Sequence, residues 1–165
     1  MAEATYFVGT TSSATVPNKH HLVLMNSAGS GRLMRIYRIT ASGAPTAAVT
    51  GLVVSLAAFR TSTQPTGGTL VTFYAAATGQ GVVVAATGIG MLAPTNSLTL
   101  EQAPFGVGVV SGEETASANE TQIYTFALTG MRPVELAPGS GVTIRQGVLA
   151  AASGAVNLVV YFTLV

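Results

Sequence analysis

The chain has 165 residues, enough for one domain with its own core, and only seven are basic and six acidic. That is 8% charged, against about 25% in an ordinary soluble domain; there is no Asp, and Lys19 is the sole lysine. The net charge of +1 leaves no electrostatic footprint for nucleic acid, and the lack of Cys excludes disulfides, thiolate metal sites and cysteine nucleophiles.

Residues 1–18 read as an extended N-terminal arm, rich in Thr, Ser and Ala, with one apolar knot at Tyr6-Phe7-Val8. Two alternatives stand for it: an anchor on a neighbouring subunit, or a first strand in the chain's own sheet. The opening Met1-Ala-Glu-Ala-Thr-Tyr6 has neither the basic region nor the apolar core of a secretory signal.

Residues 19–165 read as one β domain. His21–Asn26 predicts a short apolar strand, ended by the turn Ser27-Ala-Gly-Ser-Gly31. Arg32–Thr40 predicts a second strand in which Arg35 and Tyr37 share one alternating face and Arg38 lies on the other. Both faces mix apolar residues with arginine, which predicts that both meet protein or are partly covered. Ala48–Arg60 puts Leu52, Val54, Leu56 and Ala58 on one face. Strands are also expected at 69–74, 82–85 and 97–102.

Residues 104–120 hold three of the six acids and read as an exposed loop, with a short strand at 107–110. Thr121–Leu128 and Val142–Val148 follow, the latter with Val142, Ile144 and Val148 on one face. Ala155–Val165 shows the clearest core face: Val156, Leu158, Val160, Phe162 and Leu164. Short strands between Gly-rich turns, with no capped helical stripe, predict an all-β fold: a single antiparallel sandwich, jelly-roll-like, following the arm. The longest nearly apolar runs, 48–59 and 81–92, are too short to cross a bilayer as helices, so no membrane partner is expected.

Chemistry finds little support in the residue pattern. His20 and His21 are adjacent, and neighbours in a strand point to opposite faces, so they do not readily share one metal. Glu113-Glu114 sits in the most loop-like stretch. Gly79-Gln-Gly81 and Gly139-Ser-Gly141 lack the following helix and the Lys of a phosphate loop. No Gly-x-Ser-x-Gly elbow occurs in a strand-to-helix setting. The expectation is no catalytic residue, no metal and no cofactor. A surface so poor in charge fits one covered by other subunits, the alternative being a neutral monomer kept soluble by hydroxyl groups.

Two segments carry a resemblance. The stretch from His21 through Asn26-Ser-Ala-Gly-Ser-Gly31 to Arg32-Leu-Met-Arg-Ile-Tyr-Arg-Ile39, and the closing Pro133-Val-Glu-Leu-Ala-Pro-Gly-Ser-Gly-Val-Thr-Ile-Arg-Gln146 with the strand after it, are similar to the two ends of small virion-associated proteins of tailed bacteriophages. Together they cover about a third of the chain. The resemblance implies a β-sandwich virion subunit, most like a capsid decoration protein. Such a protein would be made in the host cytoplasm, assemble as a homotrimer and bind the major capsid protein. Interface residues would then be Tyr6, Phe7 and Val8 of the arm, with Arg35, Tyr37 and Arg38 of the basic strand. A tail, tail-tip or head-fibre subunit, and a small ligand- or glycan-binding module, are the alternatives.

Overall fold

The computed structural model describes residues 5–13, 17–44, 52–75, 81–82, 88–112, 121–125, 132–147 and 155–165. In chain order its strands are β1 (Thr5–Ser13), β2 (His20–Asn26), β3 (Met34–Ala44), β4 (Leu52–Thr61), β5 (Thr69–Leu70), β6 (Phe73–Ala75) and β7 (Gly81–Val82). They continue with β8 (Gly88–Leu92), β9 (Gly106–Gly112), β10 (Thr121–Thr125), β11 (Val134–Leu136), β12 (Gly141–Gln146) and β13 (Ala155–Leu164). Sheet A has the order β10-β3-β13-β1-β6-β7, with β11 pairing β3 as well; sheet B has the order β5-β8-β2-β12-β4-β9. Every ladder is antiparallel. The two sheets pack face to face as a β-sandwich, the fold class the alternation predicts.

The core forms where the period-two apolar positions of the two sheets meet. Val156, Leu158, Val160, Phe162 and Leu164 of β13 face Val54, Leu56 and Ala58 of β4, Leu22 and Leu24 of β2, and Val142 and Ile144 of β12; all belong to one buried cluster. Phe162 stands near its centre. Its ring stacks on Tyr6 at 5.6 Å and meets the edge of Phe73 at 5.2 Å. Phe73 gets there because the chain leaves sheet B after Leu70 and enters sheet A at β6, turning a corner between the sheets. On the other side β9 approaches β10 so closely that a Cβ on Gly106 would collide with Ile123 O.

Several expectations change. Residues 5–13 are a strand of the chain's own sheet: β1 pairs β13 over nine residues, from Thr5↔Thr163 to Ser13↔Ala155. The boundary at 18/19 therefore does not divide an arm from the domain. The mixed faces of β3 have a simple origin. Its register against β13 shifts between Arg38↔Tyr161 and Ile36↔Phe162, leaving Tyr37 as the extra residue of a bulge. Met34, Ile36, Ile39 and Ala41 all point inward as a result, and Arg35, Tyr37 and Arg38 all remain partly exposed. The expected strand at 97–102 is absent except for one bridge, Leu100↔Thr61. The loop at 104–120 yields a longer strand than expected, β9. Glu113, Glu114, Phe126, Leu128 and Val148 lie outside the described residues.

Residues 93–105 instead form part of a strap. Ala93 N donates to His21 O at one end of sheet B, and Glu101 N donates to Arg60 O at the other. Between those anchors the segment must cross the outer face, since the inner face is filled by the core. Residues 62–68 make the opposite crossing, from the end of β4 to β5 beside Leu92. The two crossings are tied together: Asn96 Oδ1 accepts from Thr66 N at 2.8 Å, Asn96 Nδ2 donates to Gln64 O at 2.9 Å, and Thr95 N donates to Thr66 O at 2.9 Å. A Cβ on Gly68 would collide with Leu92 O, so only glycine lets the strap lie this close. The strap accounts for Val23, Met25 and Thr143, which point away from the core yet have no accessible surface.

Candidate functional site

The outer face of sheet A carries no such cover from the described loops. Its side chains follow from the same alternation that fills the core. On β13 the positions between the core residues, Asn157, Val159 and Tyr161, point outward and are partly exposed. On β1, Tyr6 and Val8 point in and Phe7 points out. Ladder register then sets four side chains side by side across β3, β13, β1 and β6. The Arg38 guanidinium lies 5.8 Å from the centre of the Tyr161 ring, Tyr161 is 6.1 Å from Phe7, and Phe7 stacks on Tyr74 at 5.4 Å. Beside this row Thr163 Oγ1 donates to Tyr37 Oη at 3.3 Å. Arg35 Nε forms an ion pair with Glu135 Oε1 at 2.9 Å across the β3–β11 ladder.

Of the six residues expected at an interface, the structure brings Phe7, Tyr37, Arg38 and Arg35 to one outer face and turns Tyr6 and Val8 away from it. Val8 is completely buried and Tyr6 packs against the core. Tyr74 and Tyr161 complete the row and were missed by reading the sequence. Tyr161 was within reach, as the position between the core residues Val160 and Phe162. Tyr74 depends on the β1–β6 register, which no local pattern encodes.

The two histidines separate as alternation predicts, with a bulge assisting. Ile144 pairs Leu22 while Arg145 pairs His20, which leaves His21 unpaired and free to turn inward beside Leu22. His20 stays on the outer side, its Nδ1 2.9 Å from Thr143 Oγ1. His21 is completely buried between the sheets. Its Nδ1 lies 2.8 Å from Ser12 Oγ on sheet A, and its Nε2 lies 3.0 Å from Gln146 Oε1 on sheet B. With the Gln146 oxygen accepting, Nε2 carries the proton and Nδ1 accepts from the Ser12 hydroxyl. Burial pushes the His21 pKa down to about 4, so the ring is neutral near pH 7. Solvent does not reach this Ser–His pair, and it works as a tie between the sheets. Among the described residues no three His, Cys, Asp or Glu side chains gather into a metal site.

The two segments that carry the phage resemblance are neighbours in space. β2 pairs β12, and β3 pairs β11. Asn26 joins their turns: Nδ2 donates to Arg32 O and to Leu136 O, both at 2.8 Å, and its main-chain N and O bond Ser140 O and Gly139 N. No protein-family model matches the chain, and no curated protein is significantly similar to it.

Proposed function

We propose that this protein is a non-enzymatic structural subunit of a virion: a capsid decoration protein that forms homotrimers and reinforces a phage head by binding the major capsid protein. The observation that carries the reading is the row Arg38–Tyr161–Phe7–Tyr74 on the outer face of sheet A. Tyr, Phe and Arg are the residues enriched at protein interfaces, where rigid rings bury area at little entropic cost. The low charge of the whole chain favours association in the same direction.

Light scattering tests the oligomer and expects a trimer. Occupancy of undecorated capsids tests the partner. The substitution Phe7→Ala combined with Tyr161→Ala is expected to abolish occupancy while far-UV circular dichroism stays unchanged. Removing residues 1–18 is unsuitable, since it strips β13 of its β1 partner. A monomer at all concentrations that never binds capsids overturns the proposal, and density on the tail in an image reconstruction moves the subunit there.

A further inference from the structure

A groove of about 510 Å³ opens at the His20 end of sheet B, between Pro17–His20 and the strap residues Ala93–Ser97. It lies on the opposite face of the sandwich from the aromatic row, and nothing in the proposed assembly uses it. We propose that this groove is a binding site for a small ligand bearing a carboxylate or phosphate group.

The first support is the chemistry of the lining. It supplies the Lys19 ammonium, the His20 ring and the hydroxyls of Thr95 and Ser97, and no carboxylate is among the described lining residues. His20 uses Nδ1 toward Thr143, a bond that leaves Nε2 uninvolved. A second cation stands behind the wall: Arg145 Nη2 donates to Asn18 Oδ1 at 2.8 Å and Nε donates to Asn18 O at 3.4 Å. Burial, with a smaller contribution from the Arg145 charge, holds the His20 pKa below the ordinary value; burial also lowers Lys19. An anion entering the groove offsets the desolvation of the Lys19 ammonium, and a neutral His20 ring can donate to it from Nε2.

The second support is that the walls are fixed before any ligand arrives. Asn18 adopts a left-handed backbone, φ 61°, which turns both of its oxygens toward Arg145. Asn96 spends its oxygen and its nitrogen on the strap backbone, so this wall is held from behind. Pro17 and Pro94 stiffen the two rims. A site whose donors need no rearrangement loses little entropy on binding.

Lys19 is the only lysine, so reductive methylation with ¹³C labels a single side-chain amine. Its resonance is followed during titration with inorganic phosphate, galacturonate or galactose, at an ionic strength fixed with sodium chloride. Saturable shifts with phosphate or galacturonate are expected, with a dissociation constant on the order of 1 mM or tighter, and none with galactose. Saturation by phosphate alone identifies a phosphate ligand, and saturation by galacturonate a carboxylate. In Lys19→Gln, the ring signals of His20 report the same titration, and affinity should fall about tenfold. Absence of saturation with either anion, equal shifts with galactose, or unchanged affinity in a folded Lys19→Gln variant overturns the proposal. None of these outcomes bears on trimer formation or capsid binding.

Discussion

Sheet B carries two loop segments across its outer face, whereas sheet A presents its own side chains there. Both are antiparallel, both alternate, and both supply half of one core. The difference lies in what happens to the positions between the core residues. On sheet B, Val23 and Met25 are apolar and sealed beneath the strap. On sheet A, Phe7, Val159 and Tyr161 remain partly open. An outward apolar residue in a strand therefore has two possible meanings, an intramolecular lid or a surface for something else, and only the path of the loops decides between them.

A matched pair of substitutions tests this most severely. Val23→Glu buries a charge under the strap and should cost about 3–5 kcal/mol or prevent folding, as measured by urea unfolding. Val159→Glu, at an outward position of β13, should cost less than about 1 kcal/mol. Equal costs would mean that the two faces are equally covered.

Acid probes the point where the sheets are tied. The folded-state pKa of His21, about 4, lies below the ordinary 6.5, so the unfolded chain takes up the proton first. Stability is full above about pH 6.5 and falls as the pH drops toward 4, by about 3 kcal/mol in all, then levels off. His20 shifts in the same direction and adds to the loss. Urea midpoints measured across that window check the effect, and His21→Gln should flatten most of it.

A weaker loss than either Val23→Glu or acid is expected from the strap alone. Asn96→Ala removes two hydrogen bonds between its crossings and should cost about 1–2 kcal/mol. Hydrogen exchange should quicken at Thr66 and Thr95, while amides of the β1–β13 ladder keep their protection.

The fold was legible where alternation was unbroken. β13 shows its core face directly, and all five residues expected there are buried. β2, β4 and β12 were likewise visible from apolar runs between Gly turns. β3 was visible as a strand with partly covered, mixed faces, and the bulge at Tyr37 is what breaks its alternation. β8, Gly88–Leu92, was submerged in a longer apolar run, and β11 has only three residues, too few to show a period. The segment 97–102 alternates as a strand would but spends its backbone on the strap. Of the residues expected at an interface, Tyr6-Phe7-Val8 were singled out together, yet alternation lets only Phe7 of the three face outward. The groove was invisible because its walls come from residues nearly eighty positions apart, Asn18 and Asn96 among them.

The pairing of Thr5 with Thr163 also sets a timetable. β13 lies between β3 and β1, and among the described residues β1 has besides only a two-residue ladder to β6. A growing chain leaves a gap in the middle of each sheet until late: sheet B lacks β12 until residues 141–146 appear, and sheet A lacks β13 until residues 155–164 do. Contacts between such distant positions form slowly. The aromatic row, with Phe7 on β1 and Tyr161 on β13, forms only once β13 is in place. Without β13 the row is broken between Arg38 and Phe7, so a chain that stops short of that strand lacks this face.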